Sequence, residues 1–318
     1  MLSFLRKRDK IEDHPPFAAM PVRMVTAGPA HLQLAVHVAG RLGAGGRAPI
    51  VCLGGYTRNM LDFADFIRGF RLTEDGERAI VAIDLPGRGR SAYLPPKAQY
   101  STLDDADAVI EVLTALGIRG AIVLGQGHGG QIAMLVARKR PPLLAGVMLV
   151  DAGPVTDPRG IVRVRTNFRH IAALKSERAA RDAAGKIAAA DYPGESEARL
   201  AELVARQYRS DGRGRLDPLF DPALIAQLDA FEFDDVLEPQ WQLFDALAPF
   251  PLMLVRTQLS DQLRRETFDE MARRRPDAGR LAISGAGSPA LLDGPEELRA
   301  IGAFCAGIDA PEDSEEVA

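Results

Sequence analysis

The run AIVLGQGHGGQIAMLVAR at residues 121–138 decides the fold. An apolar strand, Ala121–Leu124, enters the turn Gly125-Gln126-Gly127-His128-Gly129-Gly130, and helical spacing of apolar residues follows over Gln131–Arg138. Two templates fit such a strand, turn and helix. In the dinucleotide fingerprint G-x-G-x-x-G, Gly125, Gly127 and Gly130 let a pyrophosphate approach the backbone at the helix N-terminus. Asp151, about 20 residues further on, supplies the acid that this fingerprint wants. In the nucleophile elbow G-x-S-x-G, Gly125 and Gly129 are the small flanking residues and position 127 is the nucleophile. That position holds glycine, which tolerates a strained backbone and brings no reacting atom.

The surroundings separate the two templates. A dinucleotide fingerprint usually opens the first strand–helix–strand unit of its domain, yet four strand candidates come earlier: Val22–Thr26, Leu32–Val38, Pro49–Leu53 and Ala79–Asp84. Later candidates are Gly146–Val150, Pro251–Arg256 and Arg280–Ser284. Between them lie helical stretches, one opened by Ser101 and Asp104 in the manner of a capping box and running to about Leu116, another over Pro295–Phe304. Short apolar runs alternating with helices predict a largely parallel α/β sheet. From about Val155 to Glu238 the rhythm breaks into Ala-, Arg-, Asp- and Glu-rich amphipathic helices, read as a cap over the C-terminal edge of the sheet.

Further fragments carry a resemblance. PIVCLGGYTRN at 49–59 has the look of an oxyanion-loop strand, with Gly54-Gly55 where His-Gly is usual. DLPGRGRS at 84–91, GVMLVDAGP at 146–154 and LAISGAGSPALLDGP at 281–295 follow in order, the last resembling a histidine loop and the start of a final helix. From about Val22 to Gly307, apart from the cap, the chain resembles the α/β-hydrolase fold family. The resemblance implies a mostly parallel eight-stranded sheet with flanking helices and a helical cap inserted after the sixth strand. The corresponding organisation is an N-terminal arm (1–21), a core (22–154 and 239–308), the cap (155–238) and a disordered acidic tail (309–318).

Carried over by position, chain order in this fold is nucleophile, acid, histidine. The nucleophile position falls on Gly127, the acid on Asp261 in QLSD, and the histidine on Ser288 in GAGSP. Serine attack needs an oxygen nucleophile and a base within hydrogen-bond reach, and neither Gly127 nor Ser288 supplies its part. The backbone N–H groups of Tyr56 and His128 are the implied oxyanion donors. The His128 side chain reads as packed or hydrogen-bonded behind the elbow. Asp151 could serve as an acid after its strand, but reads first as tying down the loop into the cap.

The other candidates restore no triad. Among five histidines, His14 lies in the arm, His31 and His37 on an early strand, and His170 in the cap, where it reads as a surface residue or a reach over the pocket. Arg163, Arg165 and Arg169 form either a solvated basic face or a hold on a ligand carboxylate or phosphate. Cys52 and Cys305 read as small core residues, and Ser91 and Ser101 as turn and cap residues. No His or Cys spacing suits a metal, and no cofactor is expected.

Composition bounds the rest. The chain has 318 residues, with 39 basic against 43 acidic side chains and a formal charge of −4. This balance offers no case for nucleic acid, and no apolar run approaches a membrane span. Two cysteines fit a reducing cytoplasm. MLSFLRKRDK has its charges after a short apolar start, the wrong order for a signal peptide, and reads as a frayed end. The resulting expectation is a pseudo-hydrolase that keeps a capped pocket for a small molecule or serves a regulatory role, as a homodimer or paired with an active relative. The alternatives are an active hydrolase or lyase using Asp261, His128 and the oxyanion hole, and dinucleotide binding at Gly125-Gly127-Gly130.

Overall fold

Every strand candidate becomes a strand in the computed structural model, which describes residues 14–309. In chain order these are β1 (Val22–Ala27), β2 (Leu32–Ala39), β3 (Ile50–Leu53), β4 (Ile80–Ile83), β5 (Ala121–Gln126) and β6 (Leu144–Val150). A small hairpin, β7 (Tyr208–Ser210) with β8 (Leu216–Pro218), precedes β9 (Leu252–Thr257) and β10 (Gly279–Ile283). Eight of them form one sheet in the order β1-β2-β4-β3-β5-β6-β9-β10. Only β2 runs against its neighbours, β1 and β4; all other pairings are parallel. The fully buried β3 and β4, and β5 up to Gly125, are continuously apolar because helices cover both of their faces.

The strand period of two distributes the core. Val51 and Leu53 face one layer with α2 (Thr102–Ala115) and α3 (His128–Lys139), through Val109, Ile132 and Val136. Ile50 and Cys52 face the other layer with α1 (Ala64–Phe70) and α10 (Pro295–Asp309), through Phe66, Phe70, Ile301 and Cys305. Both cysteines are free and buried, and desolvation pushes both thiols up, so they are core residues without thiolate character. Ser101 caps α2 by accepting the Leu103 N–H at 3.2 Å.

Between β6 and β9 the chain carries α4 (Pro158–Ala173), α5 (Glu177–Asp191), α6 (Glu197–Ala205), α7 (Ala223–Gln227) and α8 (Trp241–Asp245). The reading of this insert as helices alone is corrected by the β7–β8 hairpin, whose turn contains Asp211-Gly212, a hairpin signal in its own right. Helix α9 (Arg265–Arg274) joins β9 to β10. Among the described residues, no helix is long and apolar enough to cross a membrane.

The ends are described in part. Within the arm, Pro15–Ala19 makes a helical turn that buries Phe17, while the basic start at 1–10 lies outside the described residues. Asp309 closes α10 and pairs with the buried Arg78, so the helix takes the first residue assigned to the tail; residues 310–318 lie outside the described residues.

Helix α3 starts directly from β5, and the turn between them is held open by glycine. Gly127 sits at φ 49° and ψ −110°, which glycine adopts freely. A Cβ on Gly125 would lie 2.5 Å from the backbone of Gly129, and one on Gly129 would lie 2.1 Å from the Leu53 carbonyl oxygen. Backbone cannot yield to such contacts as a flexible side chain does. Gly129→Ala is therefore expected to cost about 3 kcal/mol, at the upper end of overpacking penalties, read as a lower urea midpoint. An unchanged midpoint would refute the packing argument.

Candidate functional site

A cavity of about 660 Å³ lies over the carboxyl ends of the sheet strands. Its floor comes from the loops after β3, β5, β6 and β10: Tyr56, Gln126, Gly127, His128, Asp151 and Ser288. Its walls come from the insert, with Ile161, Val164 and Phe168 of α4, Ile187 of α5 and Val204 of α6, together with Phe220 and Phe231. An apolar enclosure with a few polar groups at one end is the usual form of a small-molecule site.

Gly127 is at the centre of that floor. Its N–H donates to the Val150 carbonyl at 2.9 Å, and a Cβ placed on it would meet nothing within 4 Å. The amides of Tyr56 and His128, both in residues lining the cavity, have no hydrogen-bond partner among the described residues. They are donors available to a ligand oxygen, reinforced by the amino end of α3. Gln126 ties the turn to the far loop by donating Nε2 to the Ala290 carbonyl at 2.8 Å.

The carboxylate against Ser288 is Asp151, at the end of β6. Ser288 Oγ donates to Asp151 Oδ2 at 2.5 Å, Thr257 Oγ1 donates to the same oxygen at 2.7 Å, and the Thr257 N–H donates to Oδ1 at 2.8 Å. Burial pushes the Asp151 carboxyl up, against the pull of the hydroxyls of Ser288 and Thr257. Asp261, expected here from chain order, is elsewhere. The chain leaves β9 and carries Asp261 outward against α4, where it pairs with Arg163, which also holds Asp191 at 2.8 Å. A Cβ on Gly160 of α4 would lie 2.6 Å from the Asp261 carbonyl oxygen, so this packing is close. The two acids follow strands that are neighbours in the sheet, β6 and β9, and their order in the chain alone does not say which one meets the loop at 288.

Asp151, the acid that the dinucleotide template wants, is turned toward the protein: it accepts from the Thr257 amide and from the hydroxyls of Thr257 and Ser288. A Cβ on Gly130 would lie 2.3 Å from that of Ala152, a close approach that either template would use.

His128 is hydrogen-bonded and largely buried at the elbow. Its Nε2 lies 2.9 Å from Asp105 Oδ2, and its ring meets that of Tyr56 edge-on with centroids 5.3 Å apart. Behind Asp105 stands Arg88, 0% exposed, with Nη2 at 3.2 Å from the same carboxylate and further donations to the Pro86 carbonyl at 2.6 Å and the Tyr56 carbonyl at 2.8 Å. Its guanidinium also lies over the Tyr56 and Tyr100 rings. Burial pulls His128 below its ordinary value although Asp105 opposes it; Asp105 is itself held low, because Arg88 and His128 outweigh its burial. The sequence gives no sign of this trio. Arg88 falls there in the turn 84–91, and Asp105 follows the capping-box acid Asp104 unmarked.

The remaining candidates divide. Arg163 borders the cavity but is committed to its two carboxylates. Arg165 donates to the Leu228 carbonyl at 2.9 Å and the Phe231 carbonyl at 2.7 Å, and Arg169 pairs with Asp229 on the surface, so both brace the insert. His170 is exposed and does not border the cavity. His14 and His37 each bond a backbone carbonyl at 2.7 Å, of Ala205 and Pro21, and His31 sits in the β1–β2 turn. Among the described residues, no three metal-ligating side chains gather.

Comparison with known proteins agrees with this architecture. A family profile described as "Alpha/beta hydrolase family" matches residues 50–301. The crystal structure of an alpha/beta hydrolase from Novosphingobium aromaticivorans superposes with a TM-score of 0.77 at 28% identity, covering 91% of this chain and 99% of that one. An uncharacterized protein of Mycobacterium bovis is 36% identical over 83 residues, which is 26% of this chain and 24% of that protein. The uncharacterized hydrolase YugF of Bacillus subtilis is 32% identical over 105 residues, 33% of this chain and 37% of that protein. These matches thus span about a quarter to a third of the curated relatives' length.

Proposed function

Because this chain belongs to the alpha/beta hydrolase family, we propose that it is a ligand-binding member that keeps the family's enclosed pocket and lacks serine-hydrolase chemistry. The observation that carries this reading is Gly127. It has the strained backbone and the open space of an elbow nucleophile, and no side chain with which to attack. Ser288 supports the same reading. Its hydroxyl proton is given to Asp151, and a hydroxyl is no base near neutral pH. Losing a nucleophile or its base from such a triad costs on the order of 10⁶ in turnover.

In this reading residues 155–238 form a cap over a core of 22–154 and 239–308. The ligand is a small molecule with an apolar body against Phe168, Phe220 and Phe231 and an acceptor oxygen on the Tyr56 and His128 amides. Incubation with a fluorophosphonate probe and a panel of p-nitrophenyl esters is expected to give no covalent adduct and no ester turnover above buffer. Stoichiometric labelling of the purified chain would overturn the reading.

A further inference from the structure

We infer that His128 and Asp105 form a proton-transfer pair facing the cavity, which acts on a carbonyl compound bearing hydrogen on the carbon beside its carbonyl. The inference rests on the preceding reading for the placing of the ligand oxygen and goes beyond it in assigning chemistry. Three observations converge on it. Asp105 occupies Nε2 of the imidazole at 2.9 Å, and Nδ1 has no partner among the described residues. His128 is among the residues lining the cavity, and its own N–H is one of the two unpartnered amides on the floor. Arg88 is buried against Asp105 and keeps that carboxylate charged, so Asp105 accepts a proton-bearing Nε2 and fixes the tautomer with a lone pair on Nδ1.

A structural role alone does not account for this arrangement. Arg88 and Asp105 already compensate each other, so the charge of Asp105 does not need the imidazole, and the ring is held through one nitrogen alone. An acid that orients an imidazole through one nitrogen and leaves the other free to take a proton is the arrangement of general-base catalysis. Here it is built from α2 and α3 rather than from the loops at 261 and 288.

The step balances without a co-reactant. The Nδ1 lone pair takes the proton from the carbon beside the carbonyl. The C–H electron pair becomes a C=C bond, and the carbonyl π pair moves onto oxygen. The Tyr56 and His128 N–H groups hold that enolate oxygen. The imidazolium trades its Nδ1 proton with solvent and returns a solvent-derived one to the same carbon, which gives exchange, or passes its proton to a conjugated position, which gives an isomer.

Phenylacetone is a suitable probe, since its ring matches the aromatic walls and its α-hydrogens exchange slowly without a catalyst. With the full chain in D₂O, loss of the α-hydrogen signals by proton NMR is expected to run at least about tenfold faster than in buffer. Saturation-transfer signals from the phenyl protons report binding separately. His128→Gln keeps the amide and a donor toward Asp105 but has no base, and is expected to return exchange to the buffer rate while binding persists. Asp105→Asn, which positions the imidazole without touching the ligand, is expected to shift the pH profile of exchange; Asp105→Glu is expected to restore it in part. Circular dichroism of each variant separates loss of exchange from loss of fold. Binding of phenylacetone with exchange at the buffer rate overturns the pair and leaves the ligand-binding reading standing. Equal exchange by His128→Gln overturns the pair as well. Absence of both binding and exchange overturns the ligand class and the pair with it, whereas fluorophosphonate labelling bears on the preceding reading alone.

Discussion

Gly127→Ser and Ser288→His, made together, are expected to create p-nitrophenyl acetate hydrolysis about 10³-fold above that of the unchanged chain, with neither single change doing so. The backbone at 127 already has elbow geometry, and no atom lies within 4 Å of where a Cβ would stand. A non-glycine residue at φ 49° carries strain of about 1–3 kcal/mol, so the gain in activity should come with a lower melting temperature. The acceptor for the new imidazole is in place, because Asp151 Oδ2 lies 2.5 Å from Ser288 Oγ and is steadied from β9 by Thr257. The Tyr56 and His128 amides stand ready for the developing oxyanion.

The same background separates two carboxylates. Adding Asp151→Asn to the double variant is expected to remove most of the acquired turnover, as loss of the orienting acid does in such triads. Adding Asp261→Asn is expected to leave it, since that side chain belongs to Arg163. The opposite pair of results would restore the assignment made from chain order and refute the one made from geometry.

That contrast shows what was legible in the sequence. The sheet was readable because parallel interior strands are uniform apolar runs, as in IVCL at 50–53 and IVAI at 80–83, and runs of that kind are local. The elbow was readable because Gly125 and Gly129 answer a close contact that recurs wherever a strand turns this sharply into a helix. The floor of the pocket was only half readable. Asp151 and Asp261 both lie just beyond a sheet strand, and what separates them is the Thr257 amide and the Arg163 guanidinium, each reached through folding. The Arg88–Asp105–His128 trio was not readable at all. Its members are 17 and 23 residues apart, in a turn, a helix start and an elbow, and nothing local marks that they meet. The β7–β8 hairpin was readable and was masked by the helical composition around it.

How the insert is held to the sheet yields the other large expected effect. Asp65 of α1 receives two guanidinium groups from the insert, Arg199 at 2.5 Å and the buried Arg206, while Asn59 Nδ2 donates to the Arg206 carbonyl at 2.8 Å. Burial alone would raise the Asp65 carboxyl, but Arg199 and Arg206 outweigh it and hold the group below its usual range. Asp65→Ala leaves Arg206 buried beside no counter-charge, with its Nη1 already lacking a partner, and is expected to cost about 3–5 kcal/mol. Asp65→Leu combined with Arg206→Met removes both charges and is expected to recover most of that loss, because an apolar pair need not be desolvated against its preference. The sign of the pH dependence follows from the depressed folded-state value. The Asp65 contribution is fully present above the unfolded carboxyl pKa of about 3.9 and is lost as pH falls through the lower folded value. Urea titrations of the parent and of Asp65→Ala should therefore keep a constant separation from pH 7 down to about 4.5 and converge in stronger acid. Hydrogen exchange locates the damage: amides of α6 should lose protection in Asp65→Ala before those of β3 and β5. Uniform loss across both would mean that the insert and the sheet unfold as one unit, and a separation that narrows above pH 5 would mean that the arginines do not hold the carboxyl low.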